Sequence, residues 1–174
     1  GTFSEVGQMA GIHQTEWSWS PLFVDADNDG YRDLLITNGF PKDVTDKDYV
    51  MFKREVGAFQ HHRSLIDSIP VLKISNYAFK NNGNLTFTDV TTEWGMRIPS
   101  FSNGAAFVDL DNDGDLDYVV NNINDKAFLY ENTLYRKNKD EKQNHFLRIK
   151  LAGSEEIKSG LGVKVTLKYG NGQK

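Results

Sequence analysis

Two short stretches of this chain concentrate oxygen ligands at a spacing that suits a bound cation. They read Asp25-Ala26-Asp27-Asn28-Asp29-Gly30-Tyr31-Arg32-Asp33 and Asp109-Leu110-Asp111-Asn112-Asp113-Gly114-Asp115-Leu116-Asp117. In such a loop, carboxylates at positions one, three and five turn inward as the chain curls. Glycine at six permits the sharp bend, seven offers a backbone carbonyl, and nine offers another carboxylate. The candidate metal ligands are therefore Asp25, Asp27, Asp29, Tyr31 and Asp33 in the first loop, and Asp109, Asp111, Asp113, Asp115 and Asp117 in the second. Tyr31 and Asp115 stand at position seven, where only the carbonyl is expected to serve, with the Asp115 carboxylate facing water. An all-oxygen shell suits calcium, which takes roughly six to eight such ligands in flexible geometry, better than magnesium, which wants a tight octahedron and keeps its water. Neither loop holds His or Cys, so zinc and copper are poorly served. Two calcium sites are expected.

One loop of this kind could be an ordinary acidic turn. Two that agree at Asp27, Asn28, Asp29, Gly30 and Asp33 against Asp111, Asn112, Asp113, Gly114 and Asp117 make that reading weak. Four aspartates in so short a bend repel one another without a cation, so the ion is expected to be part of the fold. An EF-hand would carry a carboxylate at position twelve and run on into a helix. Here position twelve is Ile36 or Val120 within an apolar, β-branched run, which puts each loop in a β-hairpin and disfavours a dockerin-like loop–helix pair.

The elements that hold these loops are repeated. Residues 2–39 align without a gap onto residues 86–123: Thr2-Phe3 on Thr86-Phe87, Gly11 on Gly95, Ser18 on Ser102, Phe23-Val24-Asp25 on Phe107-Val108-Asp109. Repeats of this kind stack as modules that share a core. Short apolar runs flank each loop, and the spacing predicts strands over 18–24, 33–38, 76–81 and 85–91 in the first unit, then 102–108, 117–122 and 127–132 in the second. The turn Asn81-Asn82-Gly83-Asn84 predicts an antiparallel hairpin. Gly1–Val6 also reads as a strand. Between the second and third strands of the first unit lies an insertion, about 40–75, in which Thr45-Asp46-Lys47-Asp48 resembles a capping box and Tyr49, Phe52, Val56 and Phe59 follow at helical spacing. Helix is expected over about 46–56, with a second short one near 60–68. The charged run Arg136–Lys142 marks a linker, and two alternating segments, 145–151 and 162–169, predict strands of a further β-module.

Composition agrees with a folded domain: 39% hydrophobic, 12% aromatic and 25% charged. Of the 24 acids, nine lie in the two loops, so the net charge of -4 is local and points to a cation site. No clustered basic face suggests nucleic acid, no apolar run reaches the roughly 18 residues of a membrane span, and the absence of cysteine excludes a disulfide scaffold. No nucleophile stands next to a base, and the carboxylate clusters are committed to the loops, so no enzyme is expected. Adjacent His61 and His62 read as a solvent-facing pair, and Trp17, Trp19 and Trp94 as packing between blades, with sugar stacking as the alternative. The opening and closing segments suggest a piece of a longer protein.

The segment Phe107-Val108-Asp109-Leu110-Asp111-Asn112-Asp113-Gly114-Asp115-Leu116-Asp117-Tyr118-Val119-Val120 resembles an FG-GAP (VCBS) repeat, the blade unit of integrin-α-like β-propellers. Asn81–Thr91 is similar to the stretch that links one such blade to the next. Asn144–Gly153 with Ser159-Gly160-Leu161-Gly162 resembles the start of an ASPIC/UnbV module, which often follows these repeats in large bacterial surface proteins. Asn103-Gly104 stands where the family has Phe-Gly, and Trp19-Ser20 stands there in the first copy. The resemblance implies a mainly β fold: two antiparallel four-stranded propeller-type blades over 1–133, a linker over 134–144, and a partial β-module over 145–174. It implies a secreted, surface or periplasmic location and a role in adhesion or in binding a protein or carbohydrate ligand. Two blades are too few to close a propeller of roughly four to eight, so either the pair stands open with exposed edges or copies associate to cover them. The alternatives are a non-catalytic propeller domain of a larger carbohydrate-active enzyme and a lectin-like sugar binder.

Overall fold

The structure, a computed structural model, describes residues 2–56, 66–134, 146–153 and 162–168. In chain order its elements are α1 (Gly7–Ala10), β1 (Ser18–Val24), β2 (Asp33–Asn38), α2 (Lys47–Val56), β3 (Ile74–Ser75), β4 (Tyr77–Asn81), β5 (Phe87–Asp89), β6 (Pro99–Ser100), β7 (Ser102–Val108), β8 (Asp117–Asn122) and β9 (Phe128–Tyr130). The fold is mainly β. One antiparallel sheet has the order β1-β2-β4-β5, a second β7-β8-β9, and β3 pairs with β6 in a small third. The first sheet is the four-stranded unit expected; the second shows three strands among the described residues.

Strand β2 explains why the sheets stack. All six of its residues are buried. Side chains alternate between faces along a strand. Leu34 and Ile36 accordingly pack with Phe79, Ile12, Tyr77 and Phe87, while Leu35 joins Val24, Ala78, Val90, Met96, Tyr118 and Val120 on the other side. That second cluster draws on both repeats. Each fully buried aliphatic chain in it stabilises by about 1.5–3 kcal/mol. A strand covered on both faces must be apolar on both, hence the unbroken Leu34-Leu35-Ile36.

The repeat extends to the backbone. Gly11 and Gly95 (φ 79° and 71°), Asn28 and Asn112 (54° and 64°), and Gly30 and Gly114 (91° and 99°) all take positive φ at equivalent positions. Yet Phe3–Glu5, the counterpart of β5, is not a strand, and Phe3 is fully exposed. Strand β5 exists because β4 lies beside it, with Lys80 opposite Thr88. Phe3–Glu5 has no such neighbour among the described residues, and sequence pattern alone does not make a ladder. The same reason applies at the other end: residues 146–153 and 162–168 contain no strand, and Phe146, Leu147, Ile149, Val163 and Val165 are exposed.

Two local expectations shift slightly. The β4–β5 connection spans residues 82–86, closed by Asn82 N to Thr86 O at 3.0 Å, with positive φ at Gly83 and Leu85. Helix α2 is capped by Asp46, not Thr45: Asp46 Oδ1 accepts from Tyr49 N at 2.7 Å, while Thr45 donates to Asp43. Asp sits as well as Thr at a helix start. The second expected helix, near 60–68, falls largely outside the described residues.

Candidate metal centre

Each acidic loop turns back within one hairpin, with Val24 opposite Asp33 and Val108 opposite Asp117. The positive φ of Asn28 and Asn112, and of the glycine two residues on, makes that possible, because asparagine tolerates the left-handed region and glycine enters it freely. The result is convergence. Asp25, Asp27 and Asp29 each bring a carboxylate oxygen within 4.8 Å of the other two, and Asp109, Asp111 and Asp113 do the same. In the first loop, Asp29 N and Gly30 N donate to the two oxygens of Asp25, both at 3.0 Å, and Tyr31 N donates to Asp29 at 2.8 Å. In the second, Asp113 N and Asp115 N donate to Asp111 and Asp113, both at 3.2 Å. Three anionic oxygens in such a space attract a multivalent cation.

Position nine is different. Asp33 and Asp117 are 0% and 3% exposed, and neither belongs to the three-carboxylate clusters. Asp33 accepts from Ala26 N at 3.1 Å and Asn81 N at 2.9 Å; Asp117 accepts from Leu110 N at 3.0 Å and Asn132 N at 2.9 Å. Each carboxylate therefore pins its own loop to the end of the third strand of its sheet. Every oxygen so engaged retains a second lone pair. Burial pushes the Asp33 carboxyl above its ordinary 3.8, the two backbone N–H bonds pull it back, and the charges of Asp29 and Asp25 push it up again.

Position seven also departs from expectation in one copy. Asp115 is 1% exposed, so its carboxylate does not face water. The ring of Phe146 lies against the neighbouring Gly114, where a Cβ would have no room. Tyr31 is half exposed, and its amide serves Asp29 as given above. Its ring fills the space where Gly83 has no side chain, with 2.9 Å between the ring and an ideal Cβ there.

Basic side chains reach both clusters. Lys80, on β4, pairs with Asp27 and lies 3.1 Å from Asp29 Oδ2. Arg148, from the segment after the second sheet, pairs with Asp109 and donates to Asn112 Oδ1 at 3.2 Å. The two loops also touch one another. Asn28 Nδ2 donates to Gly114 O at 3.4 Å, and Asn132 Nδ2 to Ala26 O at 2.7 Å and Leu116 O at 3.4 Å. Sequence reasoning missed Lys80, Asn81, Asn132 and Arg148. The strand expected over 76–81 carried a signal for the first two, since pairing it with 33–38 brings its end beside the first loop.

A cleft of about 400 Å³ lies between the sheets, lined by Trp94, Tyr118 and Tyr130 with Glu93 and Glu131. The Tyr118 hydroxyl is buried without a hydrogen-bond partner among the described residues, and burial lifts its pKa. Trp17 stacks on Phe40; Trp19 lies against the same ring and donates from Nε1 to Gly39 O at 2.8 Å, yet is 47% exposed; Trp94 packs on the inter-sheet core. His61, His62 and His145 lie outside the described residues. Among the described residues no helix is long and apolar enough to cross a membrane.

Residues 73–120 match the family model of the FG-GAP-like repeat. The match contains the β4–β5 hairpin and the whole second loop. The first loop precedes it and is tied to it by the internal repeat. No curated protein matches this chain.

Proposed function

We propose that this chain is a calcium-stabilised pair of β-propeller-type blades from a secreted or surface protein, and that the blades present a surface for adhesion or ligand binding. The observation that carries the reading is the recurrence of one three-aspartate cluster at the same point of two repeated hairpins. The donor chemistry fits calcium: hard anionic oxygens, converging from a single turn, with a further carbonyl at position seven. Asp25, Asp27, Asp29 and the Tyr31 carbonyl would hold one ion, and Asp109, Asp111, Asp113 and the Asp115 carbonyl the other. Asp33 and Asp117 would complete each set through the lone pairs that the backbone amides leave. Calcium, when bound, supplies the positive charge that lets these carboxylates remain together.

The location rests on the FG-GAP-like match, since such repeats are typical of extracellular proteins, and on the abundance of free calcium outside cells. Residues 145–174 belong, in this reading, to the start of an ASPIC/UnbV-like module. The proposal assigns no catalysis to the chain. Trp17 and Trp94 are engaged in packing, whereas Trp19 is 47% exposed, so a sugar ligand stays the alternative to a protein one.

The test is thermal unfolding in calcium and then in chelator, on the natural chain and on Asp29→Ala and Asp113→Ala. The expected result is a lower melting temperature on chelation and a smaller calcium response in each variant. An identical melting curve in all six conditions would remove the ion from the fold.

A further inference from the structure

The two loops share a sequence pattern, but the strands beside them present opposite charges. Register establishes the equivalence. Leu34 pairs with Phe79 in the first sheet, and Tyr118, its counterpart in the repeat, pairs with Tyr130 in the second. One residue further along lie Lys80 and Glu131. One further again lie Asn81 and Asn132, whose amides both donate at 2.9 Å to the position-nine aspartate of their own loop. The alignment is thus anchored on both sides of the residue in question. At that position the first blade places an ammonium against Asp27 and Asp29, and the second blade carries a carboxylate.

We infer that Lys80 is a built-in competitor for the first cation site, so that the two loops bind calcium with unequal affinity, the second more tightly. The inference rests on the calcium reading above. A lysine held on a strand of the same sheet stays beside the loop whether or not an ion is present, and its charge opposes that of an incoming divalent cation. Calcium loops are tuned by the number of charged groups around the ion. The second loop has Asp115 where the first has Tyr31, and Glu131 where the first has Lys80. Arg148 does not restore the balance. It comes from a segment outside the sheets, and its side chain is 54% exposed against 36% for Lys80.

The test isolates each loop. In the full chain, Asp109→Asn with Asp113→Asn leaves the first loop, and Asp25→Asn with Asp29→Asn leaves the second. Calcium binding is then read by calorimetry. The second loop alone is expected to bind more tightly than the first alone. Lys80→Met in the first-loop chain is expected to raise affinity at least about tenfold, since a unit charge a few ångströms from a divalent ion outweighs the ~1.4 kcal/mol of one decade even at the dielectric constant of water. Lys80→Arg, which keeps the charge, should gain nothing, and Lys80→Met should leave the second loop unchanged. Far-ultraviolet circular dichroism of each variant shows that the sheets persist, and Lys80→Gln replaces Lys80→Met if they do not. Binding at both loops with no gain on neutralising Lys80 would overturn this inference and leave the calcium reading intact. No heat of binding at either loop would overturn both.

Discussion

The aspartates of one loop divide into two kinds, and Asp33→Ala against Asp29→Ala in chelator separates them. Asp33 is fully buried and accepts two backbone N–H groups, one from Ala26 within the loop and one from Asn81 on the neighbouring strand. Hydrogen bonds to a charged group contribute about 1.5–3 kcal/mol each, and removing the acceptor leaves both donors to find new partners. Freeing a carboxylate that burial already disfavours recovers part of the loss, which gives a net destabilisation of about 2–4 kcal/mol for Asp33→Ala. Asp29 accepts from the exposed Tyr31 amide and faces Lys80, but it also sits among Asp25 and Asp27, whose repulsion its removal relieves. These effects nearly cancel, so Asp29→Ala in chelator should change stability by about 1 kcal/mol or less, in either direction. Urea unfolding, followed by tryptophan fluorescence, reads both. With calcium added both losses should grow, because each variant then also forfeits a carboxylate of the proposed ion site. Equal losses for the two variants in chelator would refute the division.

Three other perturbations test the scaffold. Leu35→Ala empties a site in the cluster shared by both repeats and should cost about 3 kcal/mol in urea unfolding, whereas Leu129→Ala, at an exposed position, should cost less than about 0.5 kcal/mol. Gly83→Ala meets both a φ of 73° and the Tyr31 ring, and should lower stability by about 1–3 kcal/mol, with a change in Tyr31 fluorescence or NMR signals. Asn132→Ala breaks the bond from one loop's third strand to Ala26 of the other loop, and should cost about 1–2 kcal/mol and weaken calcium binding at both loops, as read by calorimetry.

Much of the scaffold was legible in the sequence. The strands at 18–24 and 33–38, and their counterparts at 102–108 and 117–122, stand where periodicity puts them, because short apolar runs between turn residues have few other ways to be buried. The convergence of Asp25, Asp27 and Asp29 followed from spacing alone, since a tight bend leaves alternate side chains on its inner side. The failures share a cause. Phe3–Glu5 and the segments after 145 have strand-like patterns, but a strand is a pairing, and its partner is a property of the fold and not of the segment. Lys80 was missed for the same reason: its importance lies in which loop its strand end meets. Asp115 was expected in water because position seven needs only a carbonyl, and nothing in the loop itself announces that residue 146 lies over it.

The assignment of roles within each loop follows from where the hydrogen bonds go. A turn built only from Asp25, Asp27 and Asp29 would be held by local bonds and opposed by its own charge. Asp33 and Asp117 supply what those three lack, a connection to a strand distant in sequence, through Asn81 and Asn132. These bonds tie the hairpin to its sheet independently of the inner three carboxylates, which stand together against their mutual repulsion. A cation that relieves this repulsion acts on a loop already fixed to its sheet, so its binding energy reaches β4 or β9 and not the turn alone. Both copies share that geometry, while residues 80 and 131 differ in sign. What distinguishes the two proposed sites therefore lies at position seven, Tyr31 against Asp115, and at the strand ends beside them, Lys80 against Glu131, and not in the aspartates common to both copies.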